Sequence, residues 1–229
     1  MTEGRRDELA TNLASVEQRI AAACTAAGRP REEVTLIVVT KTYPRSDVEL
    51  LKSLGVTDVG ENRHPEAAEK VVDGVRLHFI GGVQTNKAAA IARYADVVQS
   101  VDRSKLVAAL SRAAAASERE LGCLVQIDFG ADATGRSGCR PADAQRLATE
   151  VADAPGLRLD GVMTVAPLGV DPAPVFDSLV ALSAEMRRQH PSATVVSAGM
   201  SDDFEAAVNS GATHLRVGRS VLGERVFLR

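Results

Sequence analysis

The feature that most constrains this chain is a set of short apolar runs, each followed by a segment of helical period, repeated from residue 34 to residue 217. The first run, VTLIVVT at 34–40, is nearly continuous in β-branched and aliphatic residues, the pattern of a parallel strand covered on both faces. Periodicity places strands at 34–40, 58–60, 77–80, 97–100, 123–129, 157–165, 194–197 and 214–217. Helices are expected between them at 46–54, 65–72, 84–94, 103–120, 141–152, 172–189 and 202–210. Such alternation builds right-handed βαβ units around a parallel sheet. Eight units in 229 residues fit a closed (β/α)8 TIM barrel, while an open doubly wound sheet obeys the same pattern. Ahead of the first strand, Leu9, Leu13, Val16 and Ile20 mark an extra N-terminal amphipathic helix over 3–27, ended by Gly28-Arg29-Pro30. No linker rich in Pro, Gly or Ser divides the chain, so one domain over 1–229 is expected.

Composition narrows the function. Without tryptophan and with 3% aromatic residues, base stacking has little to work with. The 27 basic and 30 acidic residues are interspersed, which leaves no polybasic patch for nucleic acid. No run approaches the roughly 20 apolar residues of a membrane span. Arg5-Arg6-Asp7-Glu8 breaks any signal-peptide core, so a cytoplasmic protein with no membrane partner is expected. Cys24, Cys123 and Cys139 are odd in number and far apart, which reads as free thiols. His64, His78, His190 and His214 lack metal-ligand spacing, and His78 and His214 read as satisfied core or rim histidines.

In a barrel, function gathers where strands end. Those ends carry Lys41-Thr42-Tyr43, Glu61-Asn62-Arg63, Gly81-Gly82, the segment 130–138, Met163 to Pro167, Gly199-Met200-Ser201 and Gly218-Arg219-Ser220. The last two loops follow strands seven and eight, the usual place for a phosphate, and both offer small residues and backbone N–H groups at a helix start. Capping by Ser201 or Asp202 and a plain glycine turn explain either loop alone; the pair together favours a phosphate site. Lys41, directly past a buried strand, is a Schiff-base candidate because partial desolvation makes an amine nucleophilic. A rim lysine with its head in solvent fits the same spacing. The segment GADATGRS at 130–137 is one residue from a P-loop, yet Arg136 stands where the lysine should be and Gly138 and Pro141 interrupt the helix that should follow.

Val38-Val39-Thr40-Lys41-Thr42-Tyr43-Pro44, Gly60-Glu61-Asn62-Arg63 and His78-Phe79-Ile80-Gly81 with Gln84-Thr85-Asn86-Lys87 carry a resemblance that the C-terminal stretch from Gly199-Met200-Ser201-Asp202-Asp203 to Gly223 completes. The chain resembles the pyridoxal phosphate homeostasis proteins, relatives of alanine racemase. The resemblance implies an alanine racemase N-terminal domain-like barrel and pyridoxal 5'-phosphate (PLP) held as an internal aldimine on Lys41. It further implies phosphate binding by Ser201 and the backbone of Gly218 and Arg219, and Arg216 facing the pyridine nitrogen. Asn62, Met163 and Arg136 complete the implied cofactor-binding set. The implied role is intracellular PLP storage or delivery to PLP-requiring enzymes, by a monomer, with a dimer left open. A PLP-dependent racemase is the alternative. It would need a second base, which alanine racemases take from a tyrosine of a further β-rich domain. This chain leaves no residues for one, and neither Tyr43 nor Tyr94 is an evident substitute. Leu77, Ala198, Arg219-Ser220 and Arg136 depart from the usual tryptophan, methionine, Thr-Ala and lysine of the family.

Overall fold

Runs of valine, isoleucine and leucine become strands here because both of their faces are covered, one by helices and the other by the barrel interior. The computed structural model describes residues 2–130 and 137–223. Its strands are β1 (Thr35–Val39), β2 (Asp58–Glu61), β3 (Arg76–Phe79), β4 (Val97–Val101), β5 (Leu121–Ile127), β6 (Leu157–Thr164), β7 (Val195–Ser197) and β8 (His214–Val217). They pair in parallel in chain order and close into a barrel. The seam is β1 on β8, with Leu36 opposite Leu215 and Val38 opposite Val217. Closure settles the choice that the sequence left open between a barrel and an open sheet.

Helices α1 (Thr2–Ala26), α2 (Arg45–Ser53), α3 (Glu66–Glu69), α4 (Ala88–Ile91), α5 (Ser104–Ala116), α6 (Ala144–Ala152), α7 (Ala173–Met186), α8 (Phe204–Ser210) and α9 (Arg219–Leu222) accompany the strands. The extra helix α1 buries Leu9, Val16 and Ile20 and packs against α8, α9 and α2. Arg5 ties it down by donating to Asp47 at 2.7 Å and to the Leu222 carbonyl at 3.0 Å.

Six of the seven expected helices are shorter than their periodicity, and four show why. The segment 65–72 keeps only α3, because Lys70 turns inward to reach the end of the barrel. The segment 84–94 opens as a 3-10 turn, Thr85–Lys87, and α4 stops at Ile91, where the bonds tighten so that Asp96 can accept the Leu77 N–H at 2.8 Å. Helix 103–120 ends at Ala116; Glu118 then takes φ 50° and turns Arg119 onto Asp96 at 2.9 Å. Helix 202–210 begins at Phe204, since the Asp203 carboxylate accepts the Met200 N–H at 2.6 Å and holds 200–203 as a turn. Capping by Ser201 or Asp202, the alternative for this loop taken alone, is not seen: the residue at the helix start is Asp203, with no side-chain capping bond. The strand expected at 123–129 lies two residues earlier, at Leu121–Ile127.

The P-loop alternative fails on its helix. Cys139 bridges to Ile127, and the first helical turn after Ser137 is the 3-10 turn Pro141–Asp143. All three cysteines are free and buried, and burial pushes the Cys139 thiol up to about 12. Among the described residues no helix is long and apolar enough to cross a membrane, and no three His, Cys, Asp or Glu side chains are grouped to hold a metal.

Candidate functional site

The chain leaves β1 through an unusually constrained turn. Thr40 is fully buried and donates its hydroxyl to Glu61 Oε1 at 2.6 Å. Lys70 Nζ donates to the same Glu61 oxygen at 2.8 Å and to the Thr40 carbonyl at 2.9 Å. This buried triad grips the residue immediately before Lys41 from both its side chain and its backbone. Thr42 takes φ 72°, a left-handed conformation that costs a β-branched residue about 1–3 kcal/mol and persists only where surroundings enforce it. The enforcement is visible: Tyr43 N–H donates to the Thr40 carbonyl at 3.1 Å and Tyr43 Oη donates to the Gly223 carbonyl at 2.8 Å.

Lys41 emerges from this turn into a cavity of about 720 Å³ at the C-terminal end of the barrel. Asn62, Met163, Ser201, Arg216, Gly218 and Arg219 line the same cavity, so seven of the eight residues singled out in the sequence converge. The eighth, Arg136, lies outside the described residues. Asn62 is seated by Gly81, where a Cβ would come within 2.2 Å of the Asn62 carbonyl oxygen. Gly218 is similarly confined, since a Cβ there would meet the Val39 carbonyl oxygen at 3.0 Å. Arg219 and Ser220 open α9, where first-turn N–H groups have no intrahelical acceptor. The Arg219 guanidinium is exposed and pairs with Asp202 on the neighbouring loop.

Arg216 is buried beneath the cavity. It donates to Ser197 Oγ at 2.6 Å and to the Thr164 carbonyl at 2.7 Å. Burial lowers its pKa to about 10, which leaves it cationic at neutral pH. His78 is satisfied on both nitrogens by Asp58 and Gln99, as expected of a core histidine. His214, facing it at 6.4 Å between ring centres, is pushed down to about 4, chiefly by burial.

Sequence reading named Glu61 only as a strand-end residue and passed over Lys70, which sat inside a helical pattern. It also missed Ser197 and Gln99 as a pair; the signal was polar residues set in otherwise apolar strand runs.

The family described as alanine racemase, N-terminal domain, matches residues 11–226. The pyridoxal phosphate homeostasis protein of Mycobacterium tuberculosis (strain H37Rv) is 38% identical over 243 residues, covering 96% of this chain and 94% of that protein. The chain belongs to the pyridoxal phosphate homeostasis protein family. The namesake protein of Escherichia coli K12 is 34% identical over 237 residues, covering 96% of this chain and 98% of its own. Among solved structures, PipY of Synechococcus elongatus PCC7942 with PLP bound superposes with a TM-score of 0.81 at 29% identity, covering 94% of this chain and all of that one.

The residues of this member of the pyridoxal phosphate homeostasis family fit such a ligand. Asn62 Oδ1 is buried at the cavity with no hydrogen-bond partner among the described residues, which leaves an acceptor position for a ligand to complete. An amine, a fixed cation and a helix start thus line one cavity, a combination able to hold an anionic aldehyde.

Proposed function

We propose that the chain binds PLP in the Lys41 cavity and serves the intracellular homeostasis of this cofactor, as one (β/α)8 domain in the cytoplasm that stores PLP or passes it to enzymes requiring it. The carrying observation is that Lys41, Asn62, Arg216, Ser201 and Gly218 line one cavity. When bound, PLP supplies an aldehyde that an amine can condense with and a ring that can delocalise charge. Lys41 offers the amine from a turn with little freedom. Ser201 and the first turn of α9 offer donors for the phosphate. Arg216 offers only N–H donors and keeps its proton, so a ring nitrogen facing it would stay unprotonated and the ring would be a weak electron sink. That arrangement suits holding over carbanion chemistry.

The racemase reading draws on Tyr43, which lines the same cavity as Lys41. Against it, the Tyr43 hydroxyl proton is engaged by the Gly223 carbonyl at 2.8 Å. Tyr94 serves no better: it stacks on His64, and burial with the Glu61 charge pushes it up to about 12. The test is the visible spectrum of the purified protein with and without added PLP, then borohydride reduction and peptide mapping. A chromophore fixed on Lys41 is expected. A protein that stays colourless with PLP, or is modified elsewhere, overturns the reading. Exchange of an amino acid's α-proton that Lys41→Ala abolishes would install the racemase in its place.

A further inference from the structure

Five side chains from β2, β3, β4, β7 and β8 form one hydrogen-bonded line across the barrel interior. Arg216 donates to Ser197 Oγ at 2.6 Å; Ser197 donates to Gln99 Oε1 at 2.8 Å. Gln99 Nε2 then meets His78 Nδ1 at 3.0 Å, and His78 Nε2 meets Asp58 Oδ1 at 2.9 Å. Because β4 and β7 are not neighbours, the Gln99–Ser197 bond can only cross the lumen. The line runs from the Lys41 cavity, which Arg216 lines, to a second cavity at the opposite end of the barrel, which Asp58 borders.

The two ends, together with the Ser197 proton given to Gln99, set the direction of the bonds for a neutral His78. A guanidinium can only donate and a carboxylate can only accept. Ser197 therefore accepts from Arg216 and spends its single proton on the Gln99 carbonyl oxygen. That choice turns the Gln99 amide nitrogen toward His78, which must receive it on a bare Nδ1 and carry its own proton on Nε2, toward Asp58. The second Asp58 oxygen is filled by the Thr57 hydroxyl at 2.7 Å. With His78 neutral, turning the Gln99–His78 bond round would leave a bare Nε2 against the Asp58 carboxylate, acceptor facing acceptor, in a line whose five members are all buried.

We propose that His78 and Asp58 are positioning residues for the cofactor: through Gln99 and Ser197 they fix the rotamer of Arg216 and hence the donor it presents to the ring of the bound ligand. This deepens the reading of the cavity as a PLP site and rests on it. Arg216 has one further anchor, the Thr164 carbonyl, which fixes one nitrogen and leaves the plane of the guanidinium to Ser197.

The experiment uses the whole chain. In the unmodified protein, NMR of ¹⁵N-labelled histidine should find His78 protonated on Nε2 and bare on Nδ1, with and without PLP. A protonated Nδ1 overturns the proposal, and no variant is needed to see it. Asp58→Asn allows the line to reverse, because an amide can donate to Nε2. The expected result is the other His78 tautomer, a displaced absorption maximum of bound PLP and a dissociation constant raised roughly tenfold, a coupling usual within one hydrogen-bond network. Asp58→Glu, which keeps the acceptor, should restore all three. A PLP-loaded Asp58→Asn protein with reversed tautomer and unchanged spectrum and affinity refutes the positioning role alone. An unmodified chain that takes up no PLP overturns the cavity reading and this proposal with it.

Discussion

Lys70→Met isolates the triad beneath Lys41. In the native protein Lys70 is 6% exposed and Glu61 not at all, and their ion pair of 2.8 Å is braced by the Thr40 hydroxyl and carbonyl. Glu61 Oε2 has no partner among the described residues, so the carboxylate depends on contacts to its other oxygen. Methionine matches the stem of lysine and removes only the ammonium. The variant leaves a buried carboxylate facing one hydroxyl, a situation that costs about 3–5 kcal/mol. For a chain of this size each kcal/mol lowers the melting midpoint by about 2–4 °C, so a fall of about 6–20 °C is expected. Urea unfolding followed by circular dichroism measures the first figure and a thermal scan the second. Glu61→Leu added to Lys70→Met takes away the stranded charge and should return most of the loss, since an apolar pair of similar volume often replaces a buried ion pair at little cost. Hydrogen exchange at the Tyr43 amide should quicken in the single variant, because the Thr40 carbonyl that holds it has lost its other anchor. A single variant within about 1 kcal/mol of the parent, or a double variant no better than the single, would show that the pair does not hold this turn.

Gly81→Ala drives a methyl into the Asn62 backbone and should cost more than 2 kcal/mol and weaken PLP retention, whereas Gly82→Ala, which meets only Ser137 Oγ at 3.3 Å, should stay within about 0.5 kcal/mol; equal losses by urea unfolding refute the seat assigned to Asn62. Ser201→Ala removes one donor and should weaken PLP binding several-fold in a fluorescence titration, while Gly218→Val, pressed against the Val39 carbonyl, should abolish it. His214 takes its proton only near pH 4 when folded but near 6.5 when unfolded, so the unfolded chain binds more protons between those values and stability falls as pH drops through that window. The loss reaches about 3 kcal/mol at most, and His214→Gln should flatten this limb of a stability-against-pH curve measured by urea midpoints.

The strands were legible because burial on both faces demands nearly uninterrupted β-branched and aliphatic runs, and 34–40 announces itself by that demand alone. The helix ends were not, because their stops depend on partners distant in the chain: Asp96 for the end of α4, Asp203 for the start of α8 and the inward turn of Lys70 for α3. Lys41, Ser201 and Gly218 could be picked out by their places after strands one, seven and eight. The barrel-crossing line could not, since Gln99 and Ser197 are 98 positions apart and each looks like an ordinary polar residue in its own strand.

The tie between α1 and the end of the barrel sets an order of assembly. Arg5 reaches the carbonyl of Leu222, 217 positions away, and Asn12 reaches that of Val221 at 3.1 Å. β1 likewise waits for β8 across the seam. As a ribosome releases the chain, Lys41 is therefore among the first functional groups to appear, and the α9 turn that lines its cavity is nearly the last. Contacts so remote in sequence form late because the loop between them must first be closed. A nascent chain carries this lysine long before it owns a pocket, and only closure of the ring builds walls around it.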